Sequence, residues 1–207
     1  MAPSRFSDIA AIILAGGQSS RMQQDKAWIN YHGKPQVLWL YDVLQHLGLQ
    51  VGISAGTADL RLDNRSVFPD LPGYSNHGPI GGVLSTLAGS GHRGALLLIG
   101  CDYPLFGSTE ICHLLQSRRP DATATVYAPE GRALPFPAIW EKEALDRLRT
   151  YFDTQHYSMQ VLLAESMNQL NVIAPISIAS LQSADTPGDM KRIQAMLQDN
   201  GESSLLP

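Results

Sequence analysis

Apolar positions along the chain follow two alternating rhythms. Residues 9–15 read IAAIILA, residues 51–55 VGISA and residues 94–100 GALLLIG. Short apolar runs of this kind suit buried strands, and the last, which has no polar alternation, suits a strand covered on both faces. Between these runs the spacing becomes helical. Val37, Leu40, Tyr41, Leu44 and Leu47 recur on one face before Gly48 supplies a stop, and Val83, Leu84 and Leu87 follow Pro79, a residue suited to a first helical turn. Residues 66–70 (SVFPD) read as a short strand ended by Pro69 and Pro72. Further on, Leu114 and Leu115 mark a helix, and residues 123–128 (TATVYA) and 137–140 (PAIW) read as strands. Residues 141–152 form a helix with mixed charges on its exposed face, 171–176 (NVIAPI) a last strand, and 186–197 a last helix. Strand-helix alternation predicts an α/β fold: a single domain over residues 1–200, with a mostly parallel sheet and helices on both faces. The tail, residues 201–207, is expected to fray.

In such a sheet ligands bind beyond the carboxyl ends of the strands, so what each strand carries there matters most. The first delivers Gly16 and Gly17, the second Ser54, the third Asp70, and the most apolar one Cys101 and Asp102. Ser19, Arg21 and Lys26 come after the paired glycines. Glycines let backbone N–H groups approach phosphates, an arginine fork grips phosphate oxygens, and a lysine acts as a mobile point charge. Gly-Gly alone is equally a tight turn after a strand; the hydroxyls and cations beside it favour an anion site. The stretch matches neither the GxxxxGK[ST] nor the GxGxxG spacing. Asp102, directly after a buried strand, either caps the next loop or helix or holds a cation, and the neighbouring glycine loop favours metal. Asp70 reads equally as an Asp-Leu-Pro turn residue. The Gly78–Gly82 turn opens a helix and lets backbone approach a flat base or a phosphate.

Composition narrows the partners. The chain has 207 residues, is 44% hydrophobic and 16% charged, and carries a net charge of −4 without a long basic run. An ordinary globular core is expected, with neither nucleic acid nor membrane as the main partner. Cys101 and Cys112 form no CxxC pair, and the six histidines show no HxxxH or HExxH spacing, so a thiolate or histidine zinc site is unsupported. Cys101 has no visible base to make it a nucleophile. Arg5 and the apolar run after it lack a cleavage site and read as the start of the first strand, so the protein is expected in the reducing cytoplasm.

LAGGQSSRMQQDKA (residues 14–27) resembles LAGGxSxRMGxDKA, the signature of the molybdenum cofactor guanylyltransferases within the larger family of nucleotidyltransferases. Residues 29–40 (INYHGKPQVLWL) resemble the family's G-K-P-L-L continuation, HGPIGGVLSTL (77–87) its GPLGGILxAL, and IGCDYPLF (99–106) its PCDMPLL. The resemblance runs from about Ala11 to the last helix. It implies a Rossmann-like nucleotidyltransferase fold and transfer of GMP from GTP to the terminal phosphate of molybdenum-molybdopterin. It further implies a nucleotide site of Leu14, Ala15, Gly16, Gly17, Ser19, Lys26, Ser54, Asp70, Gly78, Gly82 and Asp102. Arg21, Lys26 and Asp102 would do the catalysis, with Asp102 as ligand to Mg²⁺ and backbone N–H groups from Ala15 to Gly17 as phosphate donors. Transient contact with cofactor-biosynthesis or acceptor proteins is also implied. Two positions depart from the pattern. Gln23 replaces the usual Gly after Arg-Met, and Asp185 stands where the guanylyltransferases carry Asn. Asp185 resembles the cytidylyltransferase branch, where it can help hold the metal, yet before Thr-Pro it equally suits a helix N-cap. Cytidylyl or other nucleotidyl transfer to a different acceptor, or a catalytically silent nucleotide binder, therefore stay open.

Overall fold

The structure is a computed structural model describing residues 6–16, 25–57, 62 and 64–199. Seven strands form one sheet in the order β3-β2-β1-β4-β6-β5-β7. They span β1 Ile9–Leu14, β2 Gln50–Gly56, β3 Ser66–Pro69, β4 Ala95–Gly100, β5 Ala124–Tyr127, β6 Ala138–Trp140 and β7 Leu170–Ile173. The six α-helices among the described residues are α1 Gln36–His46, α2 Pro79–Ser90, α3 Ser108–Gln116, α4 Lys142–Asp153, α5 Met159–Glu165 and α6 Pro187–Asp199.

Strand pleating sends alternate side chains of β1 and β4 into two separate cores. Ile9, Ala11 and Ile13 of β1, with Leu97 and Ile99 of β4, pack against Val37, Leu40 and Leu44 of α1 and Ile111 and Leu114 of α3. On the other face Ala10, Ile12, Leu96 and Leu98 meet Ile80, Val83, Leu84 and Leu87 of α2, joined by Leu145 and Leu148 of α4 and Leu162 of α5. Burial on both faces explains why these strands read as unbroken apolar runs. Full burial of each leucine, isoleucine or valine among them contributes about 1.5–3 kcal/mol before conformational entropy is subtracted.

The expectation of a mostly parallel sheet holds for four of the six pairings: β1 with β2, β1 with β4, β2 with β3 and β5 with β7. β6 is the exception, running antiparallel to both β4 and β5. The segment joining β5 to β6 contains only a short 3-10 turn (Pro129–Gly131), so no crossover helix exists to bring β6 round in the parallel sense. Its direction has a topological consequence. Trp140 pairs with Leu96 and Ala138 with Leu98, so β6 ends at the end of the sheet where β4 begins. α4 starts there and returns toward the carboxyl ends of the central strands. The sequence pattern missed α5, whose N-terminus is capped by the Ser158 hydroxyl accepting from the Val161 N–H at 3.3 Å.

α2 shows how glycine and proline set the site's geometry. Gly78 precedes it at φ 67°, ψ −152°, a conformation open to glycine alone, and Pro79 occupies the first turn. Gly91 closes the helix in the left-handed region. A third, smaller cluster brings the chain's last helix onto its beginning: Ile193 and Leu197 of α6, with Ala184, pack on Ile29 and Tyr31.

One buried ionic network ties the far end of the sheet. Arg118 donates through Nε and Nη2 to Glu141 at 2.8 and 2.7 Å, and its Nη1 reaches Asp8 at 2.8 Å. The Glu141 side chain is only 4% exposed, whereas that of Asp8 is 59% exposed. Removing one partner of a buried pair strands the other charge. Glu141→Ala should therefore lower the unfolding free energy by about 3 kcal/mol in urea titrations, and Asp8→Asn by less than about 1 kcal/mol.

Candidate active site

At the carboxyl ends of β1, β2 and β4 the chain closes round a cleft of about 200 Å³. Leu14, Ala15, Gly16, Lys26, Ser54, Asp70, Gly78, Gly82 and Asp102 all line it, so every candidate that falls on described residues lies in one place. Gly17, Ser19 and Arg21, together with Gln23, lie outside the described residues. Asp25, Ala27, Pro79, Gly100, Cys101 and Phe136 complete the lining, and on the Asp70 side the cleft adjoins a hollow of about 490 Å³ that includes Gly56, Thr57 and Asn76.

The glycine turn departs from expectation in one respect. The N–H groups of Ala15 and Gly16 both donate to the Ser54 carbonyl, at 2.9 and 3.0 Å, because the β1–β2 ladder continues past the last strand residue. They are already used, so the role of phosphate donor implied for them is not available in this arrangement. What Gly16 supplies is proximity. A Cβ there would collide with the backbone of Ala55 and Gly56, and Gly56 itself stands at φ 61°. Gly56 was not singled out from the sequence; its only signal was a glycine just past a strand.

Lys26 owes its direction to its neighbour. The Asp25 carboxylate accepts from the Ala27 N–H at 3.0 Å and caps a 3-10 turn over Lys26–Trp28, with Ala27 fully buried. This is the physical content of the Asp-Lys pair: the acid shapes the turn that presents the base. Lys26 Nζ donates to Asp185 Oδ1 at 2.6 Å, and the Ser183 hydroxyl donates to Asp185 Oδ2 at 2.6 Å. Asp185 does not cap α6. Thr186 does, since its N–H donates to Asp189 while the Asp189 N–H donates back to the Thr186 hydroxyl. With this reciprocal box closed, the preceding carboxylate faces Lys26 instead of the helix.

Asp102 sits at the end of β4, and the Ala184 N–H donates to its carbonyl at 2.8 Å, which draws the C-terminal segment over the cleft. Asp102 does not cap the next helix; α3 begins after Gly107. Its carboxyl is pushed up from 3.8 to about 6, chiefly by burial; Lys26 pulls it down and Asp185 raises it further. Burial drives the Cys101 thiol well above its ordinary range, so the thiol stays protonated and inert.

Asp70 and Ser54 form the other pole. Ser54 is 3% exposed, and Asp70 Oδ1 is buried with no hydrogen-bond partner. Ser54 fits there only because residue 82 is glycine: a Cβ would strike its hydroxyl, while lying at an ordinary contact distance of 3.6 Å from Asp70 Oδ1. Desolvation raises the Asp70 carboxyl above its ordinary value. A buried carboxylate oxygen without a donor is costly, and its position marks where a ligand N–H or O–H would be welcome.

For magnesium the donor set is sparse yet suitable. No group of three or more His, Cys, Asp or Glu among the described residues forms a cage. Magnesium is commonly held by one or two carboxylates, with phosphates and water completing the shell. Asp102, a buried carboxyl that feels the neighbouring Asp185 charge, meets that requirement.

This arrangement is that of a nucleotide-handling α/β domain, and comparison with known proteins agrees. Residues 11–170 match the model of the MobA-like NTP transferase domain, and the chain belongs to that family. A probable molybdenum cofactor guanylyltransferase from Flavobacterium johnsoniae is 26% identical over 185 residues, covering 88% of this chain and 96% of that protein. A molybdenum cofactor guanylyltransferase from Rhodobacter capsulatus is 29% identical, covering 93% and 98%. Among solved structures, molybdopterin-guanine dinucleotide biosynthesis protein A from Archaeoglobus fulgidus superposes with a TM-score of 0.72 at 17% identity, over 92% of this chain and 99% of that one, which establishes a shared fold.

The raised Asp102 carboxyl has a consequence for stability. The folded protein holds this proton more tightly than the unfolded chain, so the associated stabilisation is present below pH 3.8 and is lost as pH rises through about 6. Above that pH the ionised carboxylate costs on the order of 2–3 kcal/mol in the metal-free protein. Asp102→Asn should therefore raise the melting temperature at pH 8 in EDTA and leave it unchanged at pH 4. A variant less stable than wild type at pH 8 would contradict the reading.

Proposed function

We propose that this protein transfers GMP from GTP to the terminal phosphate of molybdenum-molybdopterin, forming the guanine dinucleotide cofactor and releasing pyrophosphate. The observation that carries the proposal is the convergence of Lys26, Asp70 and Asp102 on one cleft at the carboxyl ends of a doubly covered sheet. Family membership and guanylyltransferase relatives along most of the chain support it.

The chemistry joins two polyanions. An oxygen of the acceptor phosphate attacks the α-phosphorus of GTP, the bond from that phosphorus to the β-phosphate oxygen breaks, and pyrophosphate leaves with the electron pair. The nucleophile is already anionic, so no general base is required. Lys26 lies where the triphosphate must enter and would exchange its contact with Asp185 for phosphate oxygens. Arg21, assigned from the sequence, would add a planar fork to the same anion. Asp102 would hold Mg²⁺, which supplies charge neutralisation across the phosphate oxygens when bound. Asp70 gives the site a preference for guanine. Guanine presents two adjacent N–H donors on its pairing edge, which a lone carboxylate can accept, whereas cytosine offers there one amino group beside acceptors. The reaction belongs in the cytoplasm on this reading, which the free state of Cys101 and Cys112 supports.

Asp185 favours a second reading, cytidylyl transfer, because its carboxylate faces Lys26 rather than serving as a helix cap. A thermal-shift panel of ATP, CTP, GTP and UTP with Mg²⁺ separates the two. GTP at a hundred times its Kd should stabilise the protein by about 2.7 kcal/mol, with smaller shifts from the others; selective stabilisation by CTP would overturn the guanylyl assignment. In the same protein, Lys26→Ala should weaken GTP binding about tenfold or more, in keeping with loss of a charge-assisted contact worth roughly 1.5–3 kcal/mol. It should leave the melting temperature of the free protein within about four degrees, because the exposed Lys26–Asp185 pair contributes at most about 1 kcal/mol. Asp102→Asn should abolish GTP-dependent pyrophosphate release at every magnesium concentration.

A further inference from the structure

The cleft accounts for phosphates and a nucleotide base, but a group of aromatic rings beside the α2 turn that borders it has no part in either. His77 stacks on Tyr157 with ring centres 4.1 Å apart and planes 29° from parallel. Phe152 meets both edge-on, with centres 5.0 Å away in each case, and Tyr74 meets Phe152 edge-on at 5.1 Å. Four rings from three segments thus brace one another: the loop before α2, the end of α4, and the connection 154–158 into α5.

Their placement results from the reversed strand. Because β6 is antiparallel to β4, α4 runs toward the cleft end of the sheet, and its last turn arrives beside the first turn of α2. His77 immediately precedes Gly78 and Pro79, which line the cleft. The rings and the nucleotide pole occupy different sides of that first turn. A Cβ on Gly81 would lie 3.7 Å from the His77 Cβ, whereas a Cβ on Gly82, one residue on, would point at Ser54 and Asp70. The aromatic group thus lies on the side of the α2 turn that meets the end of α4, and Ser54 and Asp70 lie on the other.

Simple packing does not explain Tyr157. It remains 39% exposed although neighbouring rings hold it in place. A braced but exposed aromatic face is what a stacking surface requires: a large rigid contact area with little conformational entropy left to lose.

We propose that Tyr157, backed by His77 and Phe152, stacks against the flat heteroaromatic ring of the acceptor substrate. The inference rests on the proposed function in taking that acceptor to be a pterin. The nucleotide would then be held from one side of the α2 turn and the acceptor ring from the other, with Asp102 between their phosphates.

The test separates acceptor from nucleotide. Initial rates of pyrophosphate release are measured against molybdenum-molybdopterin concentration at saturating GTP, with GTP affinity taken independently by calorimetry. Tyr157→Ala should raise the acceptor KM about tenfold, the loss expected for one stacked ring, with GTP Kd unchanged. Tyr157→Phe, which keeps the ring, should stay within about twofold of wild type. An unchanged acceptor KM in Tyr157→Ala would overturn the proposal, as would an equal loss of GTP affinity, which would mean that the rings stack on guanine. A second readout needs no turnover: quenching of 6-hydroxymethylpterin fluorescence by the wild-type protein with GTP and Mg²⁺, lost in Tyr157→Ala and retained in Tyr157→Phe. If wild type binds this pterin through Tyr157 yet releases no pyrophosphate with the acceptor, the transfer reading fails while the stacking surface stands. Absence of quenching in wild type would overturn the stacking surface itself.

Discussion

The cleft owes its existence to the parallel pairing of β1 with β4. The register runs from Ile9 opposite Ala95 to Leu14 opposite Gly100. Since both strands are buried on both faces, a slip of one residue would turn every side chain into the wrong core. The register therefore cannot drift, and it places the glycine turn after β1 level with Cys101 and Asp102 after β4. The Cys101 N–H donates to the Leu14 carbonyl at 3.3 Å, extending the ladder to the residue before Asp102. Asp102 and the glycine turn are neighbours because two apolar strands have one way to lie together.

The same packing creates the site's electrostatic tension. Asp102 and Asp70 are carried to positions where water solvates them poorly, and each carboxyl is raised as a result. Ordinary packing would replace such groups with apolar ones. Here substrates and a metal ion would supply what water does not. Lys26 and Asp185 are held together meanwhile, a contact that a triphosphate bound as proposed would exchange.

Much of the site was legible because it is local. The strand that runs into Gly-Gly, the Asp-Lys pair, the Gly-Pro-x-Gly-Gly turn and the aspartate after the most apolar strand each lie within a few consecutive residues, and strand ends face ligands in any sheet of this class. What stayed hidden was settled by distant partners. α5 escaped detection because it is only seven residues long, and β6 carries no signal of its direction because alternation is the same either way. Asp185 read equally as a metal-side residue and as a helix cap before Thr-Pro, and the choice against the cap was made by Thr186 and Asp189, which cap each other. The backbone donors expected at Ala15 and Gly16 are consumed by Ser54, which belongs to the next strand.

Local sequence was enough to specify the α/β alternation, the double burial of the central strands and the residue types at their ends, because these depend on periodicity and on chemistry within short segments. It took the assembled fold to bring Ser54 and Asp70 together over Gly82, to lay the C-terminal segment so that Asp185 meets Lys26, and to return α4 so that Tyr157 lies beside His77. Those contacts join residues far apart in the chain, and their geometry comes from strand direction and helix packing, which no local pattern specifies.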